Sequence, residues 1–213
     1  MILVGDIHGN ILTFKEAIKK FPNKQILQVG DFGVGFYPTD LLIPQLSENI
    51  SFIRGNHDNP KECEKIPGYM GNFGCFPLNS RKAFYVSGAD SIDKKWRTEN
   101  VDWWKDEQLD PKTMDEAKEL YGKIKPDIMI SHDGPFCIHQ VLKAACVCKN
   151  PDNEGFGPAV GNFTSKQFDE FLKIHRPKYW IFGHWHVPIR FKYKDTTFIC
   201  LDCFETLDTD TLE

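Results

Sequence analysis

The sequence predicts an α/β protein with a parallel sheet at its centre, and two observations carry that expectation. Short continuous apolar runs, "MILV", "QILQVG", "ISFI", "DIMI" and "KYWIF", recur along the 213 residues, and helical spacings of apolar residues fall between several of them. Strands that do not alternate with polar residues are buried on both faces, as in a sheet covered by helices.

Taken in order, "MILV" is the first strand. "NILTFKEAIKKF" sets Ile11, Leu12, Phe14, Ala17, Ile18 and Phe21 at a roughly helical period, and Pro22 and Asn23 stop it. "QILQVG" is the second strand, Thr39 opens a short helix through Leu46, and "ISFI" is the third strand. Residues 69–90 change character: "GNFGCFPL" and "KAFYVSG" are short, aromatic and joined through Asn79 and Ser80, which predicts an antiparallel pair. Residues 91–108 are charged, tryptophan-rich and without period, hence a loop region. "PKTMDEAKELYGKI" is a helix with Gly122 near its end, and "DIMI" is a strand. Residues 133–163, with "EGFGPAVG", read as a long surface excursion. "TSKQFDEFLKIH" is a helix capped by Thr164 or Ser165, "KYWIF" is a strand, and "IRFKY" and "TFICL" flank a Lys194–Asp195 turn. No repeat or linker interrupts the chain, so one domain over residues 1–213 is expected.

Composition narrows the partners. Hydrophobic residues are 41% and charged residues 26%, ordinary for a globular protein. The net charge of −4 supplies no basic footprint for nucleic acid or an anionic membrane surface. There is no apolar stretch long enough to span a bilayer and no signal-peptide pattern, so a cytoplasmic protein is expected. The seven cysteines are odd in number and irregular in spacing, which argues free thiols; Cys137, Cys146 and Cys148 lack the paired spacing of a zinc site.

The polar residues that follow the strands are the informative ones. "GDIHGN" brings Asp6 and His8, "GDFG" brings Asp31, "RGNHDN" brings Asn56, His57 and Asp58, "SHDGP" brings His132, and "GHWH" brings His184 and His186. Ligands of open α/β sheets bind outside the carboxyl ends of the strands, where these residues fall. Leaving His57 aside, two aspartates, four histidines and one asparagine carbonyl make seven donors. Zinc takes about four, so seven is too many for one ion and suits two that share a carboxylate. Mixed nitrogen and oxygen donors suit Mn, Fe, Zn, Ni or Co rather than calcium.

The ordered set Asp6-x-His8, Gly30-Asp31, Gly55-Asn56-His57-Asp58, His132 and Gly183-His184-x-His186 resembles the calcineurin-like metallophosphoesterase family. That resemblance implies a four-layer α/β/β/α sandwich of two mixed sheets flanked by helices. It implies two divalent transition-metal ions, manganese foremost, one on Asp6, His8, Asp31 and His186 and the other on Asp31, Asn56, His132 and His184. It further implies hydrolysis of phosphomonoesters or phosphodiesters by a metal-bridging hydroxide, with His57 as general acid and Arg54 as a phosphate contact. The segment "SGADSIDKKWR" with "WWKDEQ" is similar to small bacterial and phage members, a kinship that carries no substrate.

Two departures from the protein Ser/Thr phosphatase pattern stand in "GDFGVGF". Val34 occupies the place of an aspartate and Gly35 that of an arginine. The carboxylate partner of the catalytic histidine is therefore missing there, and Asp58 is the candidate to replace it, or else to cap the next turn. Small phosphoesters and nucleotides are expected as substrates ahead of phosphoproteins. A nucleic-acid end-processing phosphatase or nuclease is the rival reading, and it requires a basic groove from Arg81, Lys82, Lys94, Lys95 and Arg97. A non-catalytic scaffold is the third, disfavoured by the intact donor set. Plainer roles are expected elsewhere: Arg97 solvated or stacked on tryptophan, Asp133 holding amides of its glycine–proline turn, Trp185 as packing or pocket lining, His139 in a loop and His175 at a helix end.

Overall fold

A computed structural model of the chain describes residues 1–36, 48–150 and 161–213. The helix expected over Thr39–Leu46 lies outside the described residues, as does most of "EGFGPAVG". Strands β1 (Ile2–Val4), β2 (Ile26–Val29) and β3 (Ile50–Ile53) run parallel, and β10 (Thr206–Asp208) adds antiparallel to β1, in the order β10-β1-β2-β3. A second sheet takes β4 (Phe73–Leu78), β5 (Arg81–Val86), β6 (Ile128–Ser131), β7 (Tyr179–Phe182), β8 (Ile189–Tyr193) and β9 (Thr196–Cys200) in the order β4-β5-β6-β7-β9-β8. The edge pairs β4–β5 and β8–β9 are antiparallel hairpins, while β5, β6, β7 and β9 run parallel.

Alternation along each strand divides the core into layers. Leu3, Leu27, Val29 and Ile53 of the small sheet meet Ala83, Tyr85, Ile128, Ile130 and Ile181 of the large one between the sheets. The opposite face of the small sheet, with Ile2, Val4, Ile26 and Phe52, packs under Ile11 and Phe14 of α1 (Ile11–Ile18). The opposite face of the large sheet, with Phe84, Met129, Trp180 and Phe182, packs under α3 (Pro111–Ile124), α4 (His139–Lys149) and α5 (Phe163–Ile174). The result is the α/β/β/α sandwich with two mixed sheets. Tyr121 of α3 and Phe171 of α5 meet at 4.8 Å between ring centroids, which locks those helices side by side. No helix among the described residues is long and apolar enough to cross a membrane.

Several local expectations are corrected. Residues 133–163 are not simply a surface excursion: a 3-10 turn at Phe136–Ile138 leads into α4, which buries His139, Leu142 and Cys146. That stripe is too weakly apolar to signal a helix in the sequence. The cap of α5 is Asn162, whose side chain accepts the Ser165 amide at 2.7 Å, rather than Thr164 or Ser165. His139 belongs to a helix, whereas His175 does end one. A four-residue helix α2 (Pro60–Cys63) and the strand β10 were not expected at all.

Candidate metal centre

Each expected donor stands just beyond the carboxyl end of a strand: Asp6 and His8 after β1, Asp31 after β2, Asn56 after β3, His132 after β6, and His184 and His186 after β7. Because β1–β3 belong to one sheet and β6 and β7 to the other, the two sheets must stack before these residues meet. Ligand atoms of Asp6, His8, Asp31 and His186 converge within 4.8 Å of one another, and so do those of Asp31, His132 and His184. Asp31 is common to both groups. His8, Asp31, His184 and His186 all have positive φ, at 44°, 59°, 66° and 48°. Such backbone is uncommon outside glycine and concentrates at functional sites.

Glycine supplies the close approach. A Cβ on Gly55 would lie 2.2 Å from Asp31 Oδ1, and one on Gly183 would lie 2.1 Å from Asp6 Oδ1. The Gly55→Ala protein is therefore expected to lose metal affinity although no donor is removed, with an overpacking cost of about 1–3 kcal/mol in stability. Metal content and melting temperature check this; an alanine variant with both unchanged would refute the close-approach argument.

The donor chemistry fits cations. His132 Nδ1 lies 3.0 Å from the Val29 carbonyl, which can only accept, so that nitrogen carries the proton. His132 Nε2 then presents a lone pair 3.2 Å from Asp31 Oδ1, and that nitrogen and Asn56 Oδ1 are buried without a hydrogen-bond partner. Two acceptors face each other there, a contact that is unfavourable until a positive charge enters between them. His186 Nε2 likewise lies 2.9 Å from Asp6 Oδ2 and 3.0 Å from His8 Nε2. A proton fills the role when no metal does. Burial pulls the His132 imidazolium down, but the Asp31 and Asp6 carboxylates prevail and push it up to about 10. His186 is driven up to about 11, against burial, chiefly by its hydrogen bond to Asp6. Burial works against the Asp31 and Asp6 carboxylates, yet the surrounding imidazoles hold both below the usual carboxylate range.

His57 lines a pocket of about 110 Å³ together with Asp31, Asn56, Ile92, Asp93, His184 and His186. Its amide donates to Asp31 Oδ1 at 2.7 Å, which ties this residue to the shared carboxylate. Its ring stands edge-on to His8 at 4.9 Å and lies 4.7 Å from Phe36. Burial first, then the charges of Arg97, His8 and His132, pull His57 down to about 4 against the opposing pull of Asp31. The neutral ring then accepts a hydrogen bond at Nε2 from Arg97 Nη2, 3.2 Å away.

The arginines exchange places relative to expectation. Arg54 is 3% exposed and turns from the pocket; its guanidinium donates to the Glu107 carbonyl and reaches Asn72 Oδ1 at 3.5 Å. Arg97, expected to be solvated or stacked on tryptophan, reaches the pocket instead. It forks onto Asp93 with two bonds of 2.6 Å and lies over the Phe36 ring. Asp58 is fully buried and latches the loop: its carboxylate accepts the amides of Phe32, Gly33, Val34 and Gly55 at 2.6–3.1 Å. That occupies Asp58 with backbone, away from the His57 ring. Asp133 accepts the Gly134 amide at 2.7 Å, as expected, and also the Trp185 indole at 2.9 Å.

The basic groove is not assembled. Arg81 and Lys82 begin β5, at the end opposite the donors, while Lys94 pairs with Asp90, Lys95 lies over the Trp96 ring and Arg97 pairs with Asp93. Cys203, in the loop between β9 and β10, was missed in the sequence. Its thiol stands with His8 and His186 within 4.8 Å, brought there because the Phe204 amide bonds to the Asp6 carbonyl at 3.0 Å. No motif announces it, and His8 lies nearly two hundred positions away. The cysteines of the described residues are all free.

Fold and donors together define a two-sheet sandwich with a candidate two-metal cleft at the carboxyl ends of its strands. The family profile of the calcineurin-like phosphoesterases matches residues 1–188, and the chain belongs to that family. No curated protein matches it in sequence. Among solved structures it is similar to GAP50, the anchor in the inner membrane complex of Plasmodium, at 15% identity and TM-score 0.52 over 95% of this chain and 71% of that one. It is similar to a candidate 5′-nucleotidase from Staphylococcus aureus at 15% identity and TM-score 0.50, covering all of this chain and 51% of that one. The phosphopantetheinyl hydrolase of Mycobacterium tuberculosis follows at 12% identity and TM-score 0.48, over 94% of this chain and 89% of that one. At such identities the likeness is one of fold.

Proposed function

We propose that the protein is a binuclear metal-dependent phosphoesterase acting on small phosphoesters, nucleotides among them, with His57 as the proton donor. The observation that carries this reading is the convergence of two donor groups on one shared carboxylate, Asp31, with His57 tied to that same carboxylate at the mouth of the pocket. Asp6, His8, Asp31 and His186 would hold one ion, and Asp31, Asn56, His132 and His184 the other, with manganese the first metal to test. When bound, the pair would supply charge to neutralise phosphoryl oxygens and to lower the pKa of a bound water.

The chain's own groups supply the rest. Asp93 holds the Nε–Nη2 edge of Arg97 and the Asp102 carbonyl takes one Nη1 hydrogen, which leaves the Nη2 hydrogen now on His57 and one more on Nη1 for phosphate oxygens, so Arg97 takes the phosphate contact first expected of Arg54. Burial does most to keep His57 neutral, with the Arg97 charge adding to it, and a phosphate dianion arriving at Arg97 offsets that charge. His57 Nε2, released from Arg97, can then carry a proton to the leaving oxygen. Val34 is fully buried and brings no carboxylate to His57. The small pocket and the inward-turned Arg54 favour compact phosphoesters over folded phosphoproteins.

The test is metal-reconstituted hydrolysis across nucleotides, cyclic nucleotides, nitrophenyl esters and phosphoserine proteins, with elemental analysis alongside. Two ions per chain and a higher kcat/KM for a nucleotide or aryl ester than for any phosphoprotein are expected. At most one ion under saturating manganese, with activity intact, would remove the two-metal reading; a preference for phosphoprotein would remove the substrate reading.

A further inference from the structure

A buried acid that the proposed chemistry does not use lies one residue removed from a donor. Glu107 is 1% exposed, and its carboxylate accepts twice from Ser91, the amide at 2.8 Å and the hydroxyl at 2.6 Å. The same Ser91 hydroxyl lies 3.2 Å from Asn56 Nδ2. A serine hydroxyl has one proton and two lone pairs. With Glu107 ionised and that proton committed to it, Ser91 can only accept from Asn56. The amide nitrogen must therefore face Ser91, and Oδ1 must face the other way. Asn56 Oδ1 is indeed the buried atom left without a partner.

We propose that Glu107, acting through Ser91, sets which end of the Asn56 carboxamide faces the metal cleft, and that it is thereby a positioning residue for one of the two ions. Asparagine needs such a device, because its oxygen and nitrogen ends are nearly the same shape and only the oxygen binds a cation. A carboxylate in this place would need none. The cost of the device is visible: burial pushes Glu107 up to about 7, although its Ser91 hydrogen bonds pull the other way. The folded state therefore binds this proton more tightly than the unfolded chain does. The stability tied to it is greatest at low pH and declines as pH rises from about 4.5 towards 7.

The substitution Glu107→Gln would keep the size of the side chain and reverse the logic. The carboxamide oxygen still accepts the Ser91 amide, but the carboxamide NH₂ donates to the Ser91 hydroxyl. That frees the hydroxyl proton to donate to Asn56, which favours turning the asparagine oxygen away from the cleft.

The proposal rests on Asn56 being a donor, and cobalt(II) titration of the metal-free protein by calorimetry and visible absorption separates the two questions. Two binding steps in the wild type and loss of one in Asn56→Ala establish the donor. A single step in the wild type overturns the two-metal reading, and two undiminished steps in Asn56→Ala overturn Asn56 as a donor; either result removes the positioning role. Given the donor, Glu107→Gln and Ser91→Ala should each weaken one of the two cobalt ions by about 10–100-fold and leave the other unchanged. In an Asn56→Asp background, Glu107→Gln should cause no loss of affinity, since either carboxylate oxygen can bind and the freed Ser91 hydroxyl can donate to the other. The metal-free Glu107→Gln protein should meanwhile melt higher than wild type at pH 8, because a buried charge is gone. Weaker binding together with higher stability is a combination that general damage does not produce. Wild-type cobalt affinity in Glu107→Gln, or a loss that persists in the Asn56→Asp background, would overturn the positioning role while leaving the donor in place.

Discussion

Replacing Asp31 with asparagine is expected to empty both metal positions and bring phosphoester hydrolysis to background. The carboxylate is 1% exposed and is the one group shared by the two donor clusters, so no other residue can stand in for it. Asparagine matches its size and leaves an oxygen for the His57 amide, now 2.7 Å from Asp31 Oδ1, so the loop should keep its course. What is lost is the negative charge. Without it His132, now held up to about 10 chiefly against burial by Asp31, is left as a buried base with a weaker counter-charge. His132→Ala is the control: it belongs to one cluster and should lose one ion of the two. Elemental analysis of dialysed protein separates the cases. One full ion retained by Asp31→Asn, with turnover intact, would show that the carboxylate is not shared.

The second large effect belongs to His57. His57→Asn should keep both ions yet lose roughly 10²–10⁴-fold in turnover on esters with poor leaving groups, the usual scale for general-acid catalysis. A nitrophenyl ester leaves as a stable anion and needs the proton less, so the loss on it should be smaller. Arg97→Ala should instead raise KM on both kinds of ester, because the guanidinium would hold phosphate in either case. Rates across leaving groups of rising pKa, with metal content measured beside them, decide the matter. Equal loss on every leaving group, or loss of an ion from the His57 variant, would take the proton-donor role from His57.

The site was legible in the sequence to the extent that its information is local. Asp6, Asp31, Asn56, His132 and His184 each follow an apolar strand, and glycines at Gly5, Gly30, Gly55 and Gly183 mark most of the turns. A strand end is a local feature, so the donors and the parallel sheets could be read together. What could not be read depends on pairing across the chain. β10 is three half-buried residues whose only reason to be a strand is the free edge of β1. Arg54 and Arg97 exchange places because Glu107 and Asn72 draw the first inward, while Asp93 and Phe36 hold the second beside His57. Nothing in "RGNHDN" or "KKWR" encodes those partners. Helix α4 was missed for a different reason: it packs a histidine and a cysteine where an apolar stripe would have shown a period.

The cleft also has a chronology. Asp6 and His8 leave the ribosome with the first strand, whereas His186, in contact with both, lies 178 positions after His8. The segment that seals this corner, from Cys203 through β10, comes later still and docks back beside β1. A partly made chain therefore offers a cation only the donors that follow its first three strands, without the histidines of the second sheet. Closing a loop of that span is slow compared with forming a helix or hairpin. Metal capture should be a late event that rewards only the finished topology and stabilises it in proportion to the logarithm of free metal over Kd. A cell poor in the right ion would then make a chain that folds on schedule but stays easier to unfold, so metal supply would govern the lifetime of the protein as well as its turnover.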